Sequence, residues 1–497
     1  MGSSRKIANA FFWNTIVNLV NAVYGFIAVP ILINHYGKAE YGLIGLAMSI
    51  NVYMNLMDLG LNSTNVRFFS TWITQKNFLS LKKGFQTSLF FYSVIGFLNA
   101  VILFCVAILS KHFFNISPEQ NEILKHLIYI LMVFAFCNWF SNCFDQLIKA
   151  TENVAWIQKR TLFTKIVMIL VLVVTVYENL SIELYYLLTC LSSLLIVPLS
   201  IGKIKREIIQ ISFLPKWDSE SFKKMLPYCL NIFSFGIFQF SYANLRPIFL
   251  GIQGTIESVT DYRILSSIVG LVTSFGGTIV GILLPSTAKV VAQHDKDAYY
   301  KVAYDGTKYI SILICFLCFG MITVSSEVIV LYVGESYLQL LPWLSIWLLC
   351  TLSTHNQAIS SLILAGTDIK VLSYSSAVAS ILGLLVCWFL IPSFQIGAVC
   401  LSYIAYLAIQ LGFFYFYYWP QKMHIQSKKV FLECFSPFVF VGIISCLIVE
   451  KIPFEYDCLW LSGFIKGFLF SIIYLCSSFL FISKNDKKFL KKLLLKK

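Results

Sequence analysis

The sequence predicts an all-α integral membrane protein with about fourteen transmembrane helices. Three observations carry this prediction: a composition too apolar for water, a succession of apolar runs long enough to cross a bilayer, and basic residues segregated into alternate connections. Of 497 residues, 58% are hydrophobic and only 12% are charged, and the mean hydropathy is +0.77. A soluble domain carries roughly 25% charged residues, so the bilayer must be the solvent. The net charge of +14 and pI near 9.0 would suit nucleic acid only if the bases gathered on a soluble face. Their positions, given below, exclude that, and no nucleic-acid partner is expected.

A helix needs about 20 apolar residues to cross a hydrocarbon core about 30 Å thick. Such runs lie at about 8–33, 41–66, 84–110, 125–148, 161–178, 182–203 and 226–251, and then at about 263–288, 308–333, 339–364, 371–392, 395–419, 430–449 and 458–482. None shows the alternation of polar and apolar residues that marks a membrane strand. With the N-terminus inside, about 31 of the 38 Lys and Arg fall in cytoplasmic connections, among them Lys82, Lys83, Lys159, Arg160, Lys203, Lys205, Arg206, Lys428 and Lys429. About half of the 24 acids fall outside, including Glu178, Glu183, Glu257, Asp261, Glu335, Glu450, Glu455 and Asp457. Both termini are therefore expected in the cytoplasm.

The fourteen cysteines sit almost entirely inside apolar helices. The Cys315-x-x-Cys318 spacing has no third ligand nearby, so it reads as packing rather than as a metal or redox site. The start, Met-Gly-Ser-Ser-Arg-Lys, places Lys6 where myristoylation wants Ser or Thr, and the first apolar run is of spanning length without a cleavage site.

Two local matches suggest duplication. Pro30-Ile31-Leu32-Ile33 with Gly37 aligns with Pro247-Ile248-Phe249-Leu250 with Gly254. Leu147-Ile148-Lys149-Ala150 aligns with Leu362-Ile363-Leu364-Ala365. The displacement is six helices, so two six-helix lobes of like orientation are expected over 1–203 and 226–420. A cytoplasmic loop, 204–225, divides them. Helices 13 and 14 follow over 421–483, and a basic tail over 484–497, in which seven lysines interleave with Phe489, Leu490 and Leu493–Leu495, reads as an interfacial helix. The segment from His294 to Lys308 reads as a short cytoplasmic surface helix. No loop is long enough to house a soluble nucleotide-binding or glycosyltransferase domain. No ATP-cradling Gly-rich loop, HExxH or paired metal-binding acids occur, so neither catalytic residues, nor a metal, nor a cofactor is expected.

Polar side chains in lipid-embedded helices are costly, so their placement is informative. Helix 1 carries Asn14, Asn18 and Asn21 at i, i+4 and i+7, one face of a helix. Helix 2 extends the pattern with Asn51, Asn55, Asp58, Asn62 and Asn65 as a stripe along nearly its whole length. Helix 4 adds Asn138, Ser141 and Asp145, with Lys149 one turn on as partner for the carboxylate. Helix 7 places Gln239, Tyr242 and Arg246 on one side, and helix 10 carries Ser353, His355, Asn356, Gln357 and Ser360. Isolated amides of this kind usually just join neighbouring helices, but a long stripe suits a wet cavity. A central Arg costs about 2.5–3.5 kcal/mol, so Arg246 is expected to face a cavity or a carboxylate, or to snorkel to the surface.

Several motifs then point to a family. Tyr36-Gly37 with Glu40-Tyr41-Gly42, then Asp58-Leu59-Gly60-Leu61, and later Ala365-Gly366-Thr367-Asp368-Ile369-Lys370, Ile391-Pro392 and Ile396-Gly397-Ala398 resemble the pattern of Wzx-type polysaccharide flippases over helices 1 to 12. The resemblance implies the multidrug, oligosaccharidyl-lipid and polysaccharide exporter fold, two six-helix bundles in a V around a central cavity. It implies a polyprenyl-diphosphate oligosaccharide as cargo, moved to the outer leaflet of a bacterial inner membrane for O-antigen, capsule or exopolysaccharide assembly. It also implies membrane lipids, a polysaccharide polymerase and chain-length machinery as partners. The chain carries helices 13 and 14, as related lipid II flippases do, but lacks the arginines those place in the first helix.

On that reading Arg246 attracts the diphosphate, Tyr242 stacks on a sugar, and Gln239, Asn14, Asn18, Asn21, Asn51, Asn55 and Asn356 line the substrate cavity. Asp58 and Asp145 are the carboxylates for proton coupling or for ion pairing with Lys149 or Arg67. Two other readings stay open: a cation-coupled multidrug exporter of the same fold, which wants cavity acids, and a polytopic glycosyltransferase, polymerase or ligase, which wants a large external loop.

Overall fold

The computed structural model describes residues 2–207, 211–293, 295–365, 369–452 and 458–481. All regular structure among the described residues is helical, as a chain without water for its backbone groups requires. The helices are α1 (Gly2–Tyr36), α2 (Lys38–Met54), α3 (Leu61–Thr74), α4 (Phe78–Phe113), α5 (Pro118–Ala150), α6 (Val154–Tyr177), α7 (Ile182–Leu194), α8 (Ile196–Glu207), α9 (Ser219–Gln253) and α10 (Ile256–Ala292). They continue as α11 (Lys296–Lys301), α12 (Thr307–Thr323), α13 (Ser325–Val333), α14 (Leu341–Thr351), α15 (Gln357–Ala365), α16 (Ile369–Phe394), α17 (Ile396–Phe413), α18 (Ser427–Lys429), α19 (Ser436–Glu450) and α20 (Leu459–Ser478).

Among the described residues eleven helical stretches are long and apolar enough to cross a membrane, and twelve if the bent pair Lys38–Asp58 and Leu61–Thr74 is one span. The expected fourteen is not reached on this measure. Expected span 7 coincides with α9, which is not among the twelve, and expected span 8 with α10, whose apolar stretch lies largely outside the fully described residues. In α9, Gln239, Asn244 and Arg246 dilute the apolar run. The expected surface helix near 294–308 is continuous with a stretch long and apolar enough to span, Lys296–Thr323, and Asp295 caps its start through the Ala298 N–H at 3.0 Å. His294 itself, residues 366–368 of the Ala365–Lys370 motif, and the basic tail lie outside the described residues.

Local chemistry starts and stops these helices. Ser117 and Gln120 form a reciprocal capping box with Pro118 in the first turn of α5. Ser181 caps α7 and Asn77 caps α4. Lys76, Glu152 and Asn179 adopt left-handed backbone just past helix ends, where the chain must reverse.

The chain packs as two compact units, one comprising Met1–Ile264 with Cys387–Ala398, the other Leu265–Val386 with Val399–Lys497. In the first, α4 lies against α5 and α1 against α6. Its core gathers Phe69, Trp72, Phe85, Leu89, Tyr92, Trp139 and Phe144, joined by Met225 and Cys229 of α9. The segment after residue 386 completes a corner of this unit. Phe249 meets Trp388 edge to face at 4.9 Å, and the Gln395 Oε1 accepts from the Thr255 N–H at 3.1 Å and the Ser258 hydroxyl at 3.0 Å.

In the second unit, α19 and α20 pack directly on α12. Phe438, Phe470 and Tyr474 are fully buried there, and the Tyr474 hydroxyl donates to the Ile312 carbonyl at 3.0 Å. The pair that reads in sequence as appended is part of this unit's core. Cys315 and Cys318 are buried in the same packing, the Cys318 thiol donating to the Leu348 carbonyl at 3.1 Å.

Candidate functional site

The Asp58-Leu59-Gly60-Leu61 motif is a break in a membrane helix. After α2 the chain tightens into a 3-10 turn over Asn55–Asp58. Leu59 and Gly60 then take left-handed backbone at φ 50° and 81°, and α3 leaves with a bend of 47°. Gly60 is required twice over, because a Cβ there would also lie 2.6 Å from the Cys229 carbonyl of α9. Half-helix ends inside a membrane leave backbone groups that must find partners. Asp58 supplies one, its Oδ2 accepting from the Asn62 N–H at 2.9 Å at the start of α3.

The other Asp58 oxygen leads into a buried network. Oδ1 accepts from the Tyr92 hydroxyl at 2.6 Å, and that hydroxyl accepts from the Gln146 amide at 2.7 Å. The Gln146 Oε1 accepts from the Asn65 amide at 2.5 Å, and the Asn65 Oδ1 accepts from the Ser88 hydroxyl at 2.8 Å. Tyr92, Gln146, Asn65 and Ser88 are all inaccessible or nearly so, and the Tyr92 ring stacks on Trp139 at 5.6 Å. Four elements, α3, α4, α5 and the turn before α3, are thus joined by polar contacts in which every member finds a partner, the condition for such a network to rigidify a core.

The break also corrects the sequence reading of helix 2. A stripe at helical spacing assumes an unbroken helix, and Leu59 and Gly60 interrupt the register. Asn65 turns inward to the network, whereas Asn55 and Asn62 are exposed and Asn51 is part-buried.

A second correction concerns Asp145. Its partner is Arg160 of α6 and not Lys149. Arg160 Nη1 and Nη2 donate to the two carboxylate oxygens at 2.6 and 2.8 Å, and Nη1 also reaches the Ser200 hydroxyl of α8 at 2.5 Å. The short turn at 151–153 folds α6 back along α5, and a planar guanidinium matches a carboxylate with two bonds where a lysine offers one. Arg160 therefore does not lie in a connection, as its neighbour Lys159 suggests; its side chain is only 4% exposed. The other partner considered, Arg67, stands over the Tyr228 ring at 4.3 Å.

The remaining candidates are spread out. The Asn14 Oδ1 accepts from the Gln158 amide of α6 at 3.0 Å, Asn18 is exposed, and the Asn21 carbonyl oxygen is buried without a hydrogen-bond partner among the described residues. Arg246 and Tyr242 come together within α9. The Arg246 Nε donates to the Tyr242 carbonyl at 3.1 Å and its guanidinium lies 4.7 Å over the Tyr242 ring, both residues buried. Gln239 is exposed. Asn356 belongs to the second unit, buried on the turn Leu352–Asn356.

That unit holds an ion pair absent from the sequence reading. The Lys466 ammonium of α20 contacts Glu327 of α13, which also accepts from the Ser462 hydroxyl at 3.3 Å and the Ser326 hydroxyl at 2.8 Å. Outside the spans, the 211–218 segment is fastened to α4. The Lys216 N–H donates to the Gln86 carbonyl at 3.3 Å, the Gln86 amide to the Leu214 carbonyl at 3.1 Å, and the Asp218 N–H to the Thr87 hydroxyl at 3.2 Å. Asp218 caps α9, and its bonds from the Ser221 hydroxyl and N–H hold its carboxyl below the usual carboxylate range.

The molecule is a polytopic helical membrane protein with a broken span and carboxylates tied into polar networks. The comparisons agree in fold. The lipid II flippase MurJ in its inward closed conformation matches with a TM-score of 0.74 at 14% identity, over 94% of this chain and 98% of that one. An inward-facing multidrug resistance MATE family transporter of the MOP superfamily matches at 0.61 and 13%, over 80% and 96%, and the MATE multidrug transporter DinF-BH at 0.60 and 15%, over 83% and 96%. No curated protein matches in sequence. The profile of the polysaccharide biosynthesis protein family matches residues 32–342, and the chain belongs to that family.

Proposed function

We propose that the protein flips a polyprenyl-diphosphate-linked oligosaccharide from the cytoplasmic to the outer leaflet of a bacterial inner membrane, both termini lying in the cytoplasm, for O-antigen, capsule or exopolysaccharide assembly. What carries the reading is the combination of a polysaccharide biosynthesis family with an exporter fold that covers nearly the whole chain. A diphosphate and its sugars cannot cross hydrocarbon unaided, whereas the lipid tail can remain in it. Arg246 attracts the diphosphate and the amides of α1, α2 and α9 exchange hydrogen bonds with sugar hydroxyls. Asp58, beside a helix break, carries the coupled proton, a placement that broken transporter helices favour. An inside-negative potential assists an outgoing anion by about 2.3 kcal/mol per charge per 100 mV.

A second reading, cation-coupled multidrug export, is favoured by the likeness in fold to MATE transporters. Deleting the gene in its host separates the two. The flippase reading expects lipid-linked oligosaccharide to accumulate at the inner leaflet with loss of surface polysaccharide, rescued by wild type and not by Arg246→Ala. Normal surface polysaccharide with altered drug sensitivity would overturn it in favour of drug export.

A further inference from the structure

An apolar cleft of about 640 Å³ opens in the second unit between the end of α17, the stretch around α18, and His355 as its floor. A further recess of about 470 Å³ shares Phe431 and Phe435 with it and is lined by Phe440 and Ile443 of α19. We propose that this cleft seats an acyl chain of an anionic phospholipid, with the lipid's phosphate at Lys428.

Four features of the molecule support this. First, both walls are π-helical, over Phe414–Lys422 and Val430–Phe435, a wide-turn geometry that is rare and concentrated at functional sites. Second, Gly412 widens the cleft from within α17, where glycine weakens a helix. No neighbour demands it, since nothing lies within 4 Å of where its Cβ would stand. Third, the mouth is built for an anion. The connection 422–429 carries Lys422, His424, Lys428 and Lys429 and no acid, and Ser427 Oγ at the mouth is buried without a hydrogen-bond partner among the described residues. Lys429 points away, over the Tyr304 ring at 4.6 Å, into a recess holding Lys301, Lys308, Asp305 and Glu433, which leaves Lys428 as the cleft's own cation. Fourth, the length fits. From Ser427 to Ile443 the wall rises at most about 24 Å at the α-helical 1.5 Å per residue, less over its π-helical turn, against about 15 Å for one leaflet's half of the hydrocarbon core. The residues lining the two recesses therefore span at least the depth of one leaflet, the reach of an extended acyl chain. Basic sites between helices at the cytoplasmic surface are where anionic headgroups bind.

The test is native mass spectrometry of the full-length detergent-solubilised protein titrated with dioleoyl phosphatidylglycerol or dioleoyl phosphatidylcholine. Wild type should retain one phosphatidylglycerol in preference to phosphatidylcholine. Gly412→Leu, which fills the cleft, should lower retention of both lipids at least tenfold. Gly202→Leu, an equally open helix position in the first unit, should leave retention unchanged. Lys428→Gln should keep retention of phosphatidylcholine and cut the preference for phosphatidylglycerol about fivefold. Unchanged retention in Gly412→Leu, equal retention of the two lipids by wild type, or displacement of phosphatidylglycerol by an equimolar polyprenyl monophosphate would each overturn the proposal, the last assigning the cleft to a carrier lipid. The outcome is independent of whether the chain proves to be a flippase.

Discussion

The Tyr92 hydroxyl donates to Asp58 across 2.6 Å while accepting from Gln146 across 2.7 Å, so one phenol ties α4 to the helix break and to α5 at once. Removing it leaves a carboxylate short of one donor and an amide short of its acceptor, both away from water. Tyr92→Phe should lower stability by about 1–2 kcal/mol, read as a fall in the unfolding midpoint of the purified protein in detergent. An unchanged midpoint would show that the network adds nothing to the fold.

Asp58→Asn distinguishes a structural from a coupling role for the carboxylate. The amide oxygen can still accept from Tyr92 or from Asn62, so the stability loss should stay near 1 kcal/mol. Under the proposed function export should fall more than tenfold, measured as surface polysaccharide in the complemented deletion strain. Export at wild-type level with Asn at this position would remove Asp58 from the coupling mechanism.

The Asp145–Arg160 pair should be the most sensitive contact of the first unit. Removing Arg160 leaves the half-buried Asp145 carboxylate without its two donors, and Arg160→Ala should cost about 1–3 kcal/mol, seen as loss of folded protein in fluorescence-detected size exclusion. Lys149→Gln should be silent within about 0.5 kcal/mol. The reverse ranking would restore Lys149 as the partner.

Asp218 gives a pH-dependent prediction outside the membrane. Its carboxyl sits below its unfolded value of 3.8, so its contribution is complete above that value and fades as pH falls through it. Asp218→Ala should cost about 1 kcal/mol at pH 6, and the gap in unfolding midpoint between variant and wild type should narrow steadily as the pH is lowered below 3.8. A gap that stays constant across that range would mean the cap acts through something other than the ionised carboxylate.

Spans were legible in the sequence because hydropathy is a local sum over one helix, and burial in lipid imposes it everywhere. The chemistry between spans was less so. The Asp58 motif showed where a special turn lies, but not that Leu59 and Gly60 would break the helix and leave Asn65 alone of the stripe's asparagines turned into the core. Tyr92 sits in the run Phe-Phe-Tyr-Ser and Gln146 beside Asp145, with nothing in either neighbourhood to announce a partner on another helix. Arg160 was hidden by Lys159, since two adjacent bases after a polar turn read as a loop, and only the start of α6 at Val154 shows otherwise. Lys466 and Glu327 lie 139 residues apart on α20 and α13, and nothing local to either marks the other as its partner.

The interleaving of the two units has a consequence for how the protein is made. The corner of the first unit that Trp388 and Gln395 close stays open until residues Leu265–Val386 have left the ribosome, which takes on the order of 10 s at usual synthesis rates. During that interval Phe249 and the Thr255 N–H lack their eventual cover. A chain ending before Cys387 would carry a first unit with that corner unclosed.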